Sequence, residues 1–270
     1  MSNQQKNIVD SIQKNGYAKL ENFFSESDLQ LISQKLKNVS SKKLTKGLSY
    51  FPVTTKNYFA TFLALNLEKI LQGIFLKRLT NRYDLEVISD QYFGKKSELI
   101  TVDSYFSPKS DEMIVDWHAD VPGDLPINPD QYQSWNRSLK FFIYLTDVDH
   151  NNGCLAFLPN SNLICKKVTE LILKKKVKVG RITELSKFRD ILMKNKELKQ
   201  LIESDVNIGK EKLEKFINDS AFITSGDTEN FDLPLKKGGM IIFDEFGFHR
   251  GGCPSKTDRT VLRFFYREKN

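Results

Sequence analysis

Cysteine is scarce in this 270-residue chain, which contains only Cys154, Cys165 and Cys253. The number is odd, and no two of these residues are close enough to form a CxxC motif, which argues against a disulfide framework or a zinc knuckle. The first ten residues are polar and lack the apolar segment of a signal peptide. Together these features predict a reducing, cytoplasmic compartment.

Long hydrophobic runs are also missing, since no 18 consecutive residues are apolar, and we therefore expect no membrane partner. The net charge is +7, from 41 basic and 34 acidic residues, which is compatible with a nucleic-acid binder. However, the lysines are spread along the chain, and the only dense run, Lys174–Lys178, lies in a helical-looking stretch. No basic stripe interleaved with aromatic residues is present either. We therefore expect no nucleic-acid partner.

The N-terminal part, residues 1–97, has mostly helical patterning. Ser25 precedes a helix with Leu29, Ile32 and Leu36 at helical spacing, and Asp28 is placed to complete a capping box. Residues 57–79 form a second, very apolar helical stretch, which we expect to be interrupted near Gly73. The short segment 17–20 alternates as a strand does.

The rest of the chain has strand patterning, with one interruption. Eight β-rich segments are separated by turn residues, at 99–107, 115–120, 138–147, 154–159, 230–235, 239–245, 247–250 and 260–267. Eight antiparallel strands suggest a double-stranded β-helix, that is, a cupin-like jelly roll. We therefore predict a mainly β single domain over 1–270, with its core at 98–162 and 226–270. Residues 163–225 would form a helical insertion and a candidate lid.

The chain has three histidines, and two of them suggest a metal centre. His118 and Asp120 are two residues apart, so that both point to the same face at a strand end. His249 follows the apolar segment 240–243. Two imidazoles and one carboxylate form the facial triad that holds non-haem Fe(II) and leaves coordination positions open.

Arg259 lies ten residues after His249, at the start of the last strand. A Gly251-Gly252 pair and Pro254 form the intervening turn, and the hairpin would bring the guanidinium towards the metal. Arginine binds carboxylates through two parallel hydrogen bonds. A dicarboxylate such as 2-oxoglutarate would place its distal carboxylate there, while its keto-acid end binds iron.

These motifs resemble those of the phytanoyl-CoA dioxygenase family. The resemblance rests on Trp117–Asp120, on Leu145–Leu155 with the following Pro159–Asn162, and on the block 238–266. It covers most of the chain outside 163–225. It implies a double-stranded β-helix, with His118, Asp120 and His249 as iron ligands and Arg259 as the 2-oxoglutarate contact. Two departures concern co-substrate contacts: many members have Pro-Gly-Ser-His at 159–162, and many have a small hydroxyl residue at position 251.

The resemblance implies that Fe(II), 2-oxoglutarate and O2 act together to hydroxylate a small-molecule substrate, with release of succinate and CO2. Two alternatives remain open: a jelly-roll binding protein without turnover, and an iron oxygenase that does not use 2-oxoglutarate. Arg263 shares a strand face with Arg259 and would need an anionic partner. A protein carboxylate, the co-substrate and the substrate are equally compatible, and a substrate contact would imply a negatively charged substrate.

Overall fold

The computed structural model describes residues 2–36, 47–120, 137–177, 183–205, 208–223 and 231–269. Its helices are α1 (Asn3–Asn15), α2 (Glu26–Lys35), α3 (Thr55–Leu63), α4 (Leu67–Arg82), α5 (Leu85–Phe93), α6 (Ser161–Leu173), α7 (Leu185–Lys194), α8 (Lys196–Glu203) and α9 (Gly209–Ile223). Its strands are β1 (Tyr17–Leu20), β2 (Gly47–Phe51), β3 (Ser97–Ser107), β4 (Val115–His118), β5 (Ser138–Tyr144), β6 (Leu155–Phe157), β7 (Asp232–Leu233), β8 (Met240–Asp244), β9 (His249–Gly251) and β10 (Arg259–Glu268).

The strands form two sheets in which every pairing is antiparallel. The larger sheet has the order β1-β8-β5-β10-β3-β2, and the smaller has the order β4-β9-β6-β7. Antiparallel sheets with flanking helices were predicted from the sequence, and this part of the prediction is confirmed. Strand β2 was missed, because its five residues lie in a part of the chain with mostly helical patterning. Residues 121–136, 226–230 and 270 of the predicted core lie outside the described ranges.

The two faces of the larger sheet bury different sets of side chains, because successive residues of a strand point to opposite sides. On the outer face, Leu139 and Phe141 of β5 pack against helices α1, α2, α4 and α5. On the inner face, Phe142 and Tyr144 pack against residues of β6 and β7 from the smaller sheet, such as Leu155. The space between the sheets is therefore lined from both sides, and it contains the candidate site.

The predicted helix start at Ser25 is confirmed, with one change in its partners. The Ser25 hydroxyl accepts a hydrogen bond from the Asp28 backbone N–H at 3.2 Å, as an N-cap does. The Asp28 carboxylate does not complete a capping box. It pairs with Arg82 and accepts a hydrogen bond from the Tyr83 hydroxyl at 2.6 Å, which fixes α2 to the end of α4.

The predicted interruption near Gly73 is wrong. The stretch 57–79 is broken between α3 and α4, at residues 64–66, and Gly73 lies inside α4. Glycine is needed there because a Cβ atom would lie 2.0 Å from the Pro52 carbonyl oxygen. No residue of α3 is buried, so an apolar sequence does not mark the core at this point.

The helical insertion, defined here as α6 to α9 between β6 and β7, begins at Ser161 rather than at residue 163. Its apolar side chains form one cluster with Trp117, Ala119, Phe246 and Phe248 of the β core. None of the helices in the described ranges has the length and hydropathy to cross a bilayer.

Candidate metal centre

The two predicted histidine ligands are direct neighbours across strands. In the pairing of β4 with β9, His118 lies opposite His249, and the centroids of the two rings are 4.4 Å apart. His249 is buried, whereas the His118 side chain is 27% exposed. The ladder of the smaller sheet therefore brings together two side chains that are 131 positions apart in the sequence.

Asp120 completes the group just after the end of β4. Its Oδ1 atom is 3.5 Å from His118 Nε2, and its Oδ2 atom is 3.2 Å from His249 Nε2. One donor atom from each of the three residues lies within 4.8 Å of the other two. Two imidazole nitrogens and a carboxylate oxygen at this spacing fit an Fe(II) ion with open coordination positions.

Backbone carbonyls fix the orientation of both imidazole rings. His118 Nδ1 lies 2.6 Å from the Asp116 oxygen, and His249 Nδ1 lies 2.9 Å from the Gly247 oxygen. A ring that donates through Nδ1 has its proton there and leaves the Nε2 lone pair free to bind a metal. The arrangement therefore prepares the tautomer that a metal ligand needs before any metal binds.

Lys140 and Glu245 are functional candidates that the sequence analysis missed. Lys140, on the inner face of β5, forms a short ion pair with Asp120 and lies 3.1 Å from Glu245 Oε1. Both side chains are less than 10% exposed. The available signal was a single charged residue in a strand that is otherwise fully apolar from Leu139 to Tyr144, since a buried charge needs a partner.

The Lys140 ammonium offsets the repulsion between the two carboxylates of this network. Burial alone would raise the pKa of Asp120, but the charge of Lys140, and that of His249 when the imidazole is protonated, outweigh it and hold the pKa well below its usual range. Burial raises the pKa of Glu245, and it lowers the pKa of the His249 imidazole. An ionised Asp120 beside a neutral His249 is the protonation state in which the three ligands can bind a cation.

Arg259 is buried at the start of β10 on the inner face, with 2% of its surface exposed. Its guanidinium carbon lies 5.3 Å from the ring centroid of Phe142 and 5.7 Å from that of Tyr144. Burial lowers its pKa, although arginine still remains a cation. Within the described residues no carboxylate forms an ion pair with it, and its Nε has no hydrogen-bond partner. A buried guanidinium of this kind fits a carboxylate supplied by a ligand.

Arg263 has a partner within the protein. Its Nε donates to Asp103 Oδ1 at 2.6 Å, and its Nη2 donates to Asp103 Oδ2 at 2.9 Å. Of the three anions that the sequence left open, the structure thus shows the protein carboxylate of Asp103. A substrate contact by Arg263 stays a prediction, and it would have to compete with this bidentate pair.

The residues that depart from the family motif still hold the local structure. Asn160 takes the place of the usual glycine with φ 63°, a left-handed conformation that asparagine tolerates better than most residues. The Ser161 hydroxyl accepts a hydrogen bond from the Phe248 N–H at 2.8 Å. Asn162 Nδ2 donates to Asp244 Oδ2 at 3.3 Å. The turn into α6 is therefore fastened to the segment that carries His249.

The third histidine, His150, lies in a turn. Its side chain is 43% exposed, and its Nδ1 atom is 3.2 Å from Asp232 Oδ2. His150 is therefore not part of the group that contains His118 and His249.

Comparisons with known proteins agree on the fold. The carbocyclase SnoK from nogalamycin biosynthesis, described as non-haem and α-ketoglutarate dependent, has a TM-score of 0.55 at 14% identity over 99% of this chain and 84% of its own. EvdO2 from Micromonospora carbonacea var. aurantiaca, complexed with 2-oxoglutarate, has a TM-score of 0.52 at 13% identity over 100% and 91%. HygX from Streptomyces hygroscopicus, with nickel and 2-oxoglutarate bound, has a TM-score of 0.51 at 13% identity over 100% and 88%. No curated protein matches the sequence significantly.

The sequence itself matches the family model of phytanoyl-CoA dioxygenase over residues 12–260. The match includes all three candidate metal ligands and Arg259. The chain therefore belongs to the phytanoyl-CoA dioxygenase family of Fe(II)- and 2-oxoglutarate-dependent oxygenases.

Proposed function

We propose that this oxygenase hydroxylates a small organic molecule and that His118, Asp120 and His249 are its iron ligands. The observation that carries the assignment is the set of three donor atoms within 4.8 Å, with both Nε2 atoms directed at Asp120. We also propose that the two sheets form a double-stranded β-helix and that residues 1–270 are one domain. The cluster that joins the insertion to Trp117 and Phe248 supports the latter.

The protein would contribute binding, orientation and a dry cavity. His118, Asp120 and His249 would occupy one face of the metal, which leaves the opposite face for ligands. Arg259 would hold the distal carboxylate of 2-oxoglutarate in a region lined by Phe142 and Tyr144. Iron bound there would couple the oxidative decarboxylation of 2-oxoglutarate by O2, which gives succinate and CO2, to oxidation of the substrate.

The substrate is proposed only as a small molecule. Among the structural neighbours, SnoN was crystallised with nogalamycin RO and HygX with hygromycin B, both of which are small molecules. A reducing, cytoplasmic location is also a proposal, supported by the three cysteines, none of which forms a disulfide.

The decisive experiment measures iron per folded chain and 2-oxoglutarate binding in alanine variants. We expect His118→Ala, Asp120→Ala and His249→Ala each to lose iron, because each removes one of three ligands. Arg259→Ala should retain iron but bind 2-oxoglutarate about 10- to 100-fold more weakly, as for loss of a charge-assisted hydrogen-bonded pair. His150→Ala serves as the control for a histidine outside the site.

Full iron occupancy in His249→Ala would contradict the proposed ligand set. Unchanged 2-oxoglutarate binding in Arg259→Ala, together with its loss in Arg263→Ala, would mean that the arginine is wrongly assigned. A wild-type protein that binds iron and consumes substrate with O2 but without 2-oxoglutarate would favour an iron oxygenase that does not use 2-oxoglutarate. A protein that binds iron and 2-oxoglutarate but forms no succinate with any substrate tried would favour a jelly-roll binding protein without turnover.

A further inference from the structure

Two buried polar atoms on neighbouring strands have no hydrogen-bond partner within the described residues. One is Arg259 Nε on β10, and the other is the hydroxyl oxygen of Ser107 at the end of β3. Both residues are 2% exposed. Because buried polar groups nearly always form hydrogen bonds, two such atoms on opposed residues are suited to bind a ligand that accepts hydrogen bonds.

The strand pairing places these two residues opposite each other. In the register of β10 with β3, Arg259 is the partner of Ser107. Side chains of directly opposed residues in an antiparallel pair point to the same face, with Cβ atoms about 4.5–5.5 Å apart. The hydroxyl of Ser107 and the guanidinium of Arg259 therefore face the same region between the sheets.

The same ladder contains a second pair that confirms this geometry. Four residues further along, Arg263 lies opposite Asp103, and there the carboxylate binds the guanidinium through Nε and Nη2. Since four residues preserve the face of a strand, Arg259 and Ser107 repeat that arrangement with one difference. Asp103 supplies a carboxylate to Arg263, whereas Ser107 places a short, neutral hydroxyl opposite Arg259.

Two glycines define the space near this pair of residues. Gly153 leaves room for the Arg259 side chain, and the surroundings of Gly251 leave little room for a side chain at position 251. A Cβ atom on Gly153 would lie 2.8 Å from Arg259 Cδ, so a larger residue there would displace the arginine. Many family members have a small hydroxyl residue at the position of Gly251. Here a Cβ atom on Gly251 would lie only 3.2 Å from Ile114 Cβ.

We propose that Ser107 donates its hydroxyl to the distal carboxylate of 2-oxoglutarate, beside Arg259, and thereby replaces the hydroxyl absent at Gly251. This inference rests on the proposed role of Arg259 in co-substrate binding. Ser107, at the end of β3, would thus contribute to co-substrate specificity. Its hydroxyl would favour a 2-oxo acid that carries a second carboxylate.

The test compares two serines of the same strand. Ser107→Ala removes the proposed contact, whereas Ser104→Ala removes an equally buried hydroxyl that donates to the Val261 carbonyl oxygen at 3.0 Å. Each protein is loaded with Fe(II) without oxygen and titrated with 2-oxoglutarate or with 2-oxobutyrate, and visible absorption reports binding. The second compound has the same keto-acid group but no distal carboxylate.

We expect Ser107→Ala to raise the dissociation constant of 2-oxoglutarate by about 10-fold or more and to leave that of 2-oxobutyrate unchanged. Ser104→Ala should change neither constant by more than about twofold, and Ser107→Thr, which keeps a hydroxyl, should bind more tightly than Ser107→Ala. The proposal is overturned if Ser107→Ala binds 2-oxoglutarate as the wild type does, or if it weakens both compounds equally. Failure of the wild type to bind iron or 2-oxoglutarate would instead overturn the proposed function.

Discussion

Lys140 illustrates how a single buried charge can organise the candidate metal centre. It lies between two carboxylates, Asp120 and Glu245, and its side chain is only 6% exposed. Its ammonium also lies 5.4 Å from the ring centroid of Phe243 and 4.9 Å from that of Phe265. These contacts leave Asp120 little freedom to rotate, so we assign Lys140 as a positioning residue for this ligand.

We therefore expect Lys140→Met to weaken iron binding by about 10- to 100-fold, the range found for residues that orient metal ligands. The same change should lower the free energy of unfolding without iron by about 3–5 kcal/mol, because it removes the cation from the buried Glu245 and the partly exposed Asp120. Iron affinity is measured by competition with a chelator, and stability by urea unfolding. Lys96→Met, on an 80% exposed side chain, is the control.

The double variant Lys140→Met with Glu245→Gln separates the two effects. Removing the second carboxylate relieves the repulsion, so stability should recover in part, whereas iron affinity should stay low because Asp120 is still not held. A Lys140→Met protein that binds iron as tightly as the wild type would contradict the positioning role.

At the scale of residues, the candidate ligands that could be predicted from the sequence are those that follow a regular local pattern. His118 and Asp120 are an i, i+2 pair, His249 follows an apolar strand, and the structure brings all three together. The roles of Ser107 and Lys140 could not be predicted from the sequence, because they arise from the register between strands, which brings together positions far apart in the chain. The pairing of Arg263 with Asp103 was open for the same reason, since no local pattern specifies which residue lies opposite.

At the scale of elements, the positions of the strands were easier to predict than the burial of the apolar helices. Strands β5, β8 and β10 are buried along most of their length, and their β-rich composition marks them. By contrast, Phe59 and Phe62 of α3 are 64% and 56% exposed. Hydrophobic composition indicates that a residue can be buried, but only the packing of other elements decides whether it is.

The insertion was predicted to be a mobile lid, and that prediction is still untested, but its packing gives it a second role. Phe188 of α7 lies 5.2 Å from the ring of Phe248 and 5.9 Å from that of Phe216 in α9. Just before α7, the carbonyl oxygen of Thr183 accepts a hydrogen bond from the Ala119 N–H at 3.0 Å. The helices are thus joined to the backbone between two of the proposed metal ligands, His118 and Asp120.

We expect Phe188→Ala to lower the free energy of unfolding by about 3–5 kcal/mol, as for other buried phenylalanines that leave a cavity. It should also speed the release of iron, because the segment around Ala119 loses support. Thermal unfolding and the rate of iron transfer to a chelator measure the two effects. If the insertion moves as an independent lid, Phe188→Ala should change neither the main unfolding transition nor iron release. Val87→Ala, on a residue that is 39% exposed, is the control for loss of an apolar side chain.

At the scale of the whole molecule, the three cysteines differ in their surroundings. Cys154 packs between the sheets, and burial raises its pKa to about 12, with Asp232 acting in the same direction. Cys165 is buried in the cluster of the insertion, and burial raises its pKa as well. Cys253 is partly exposed in the turn between β9 and β10. The reactive form of cysteine is the thiolate, so the first two should be inert while the fold is intact.

We therefore expect a thiol reagent at pH 8 to modify one cysteine rapidly in the native protein and all three in urea. The slow modification of Cys154 and Cys165 should follow opening of the fold, because neither thiolate forms while the side chain is buried. The absorbance of the thiol that the reagent releases gives the number of cysteines that react fast. In Cys253→Ala this number should fall to zero. Because Cys154 and Cys165 lie in different clusters, their separate rates compare opening of the sheets with opening of the insertion. Equal rates would indicate that both parts unfold together, whereas fast modification of either cysteine in the native state would contradict the assigned burial.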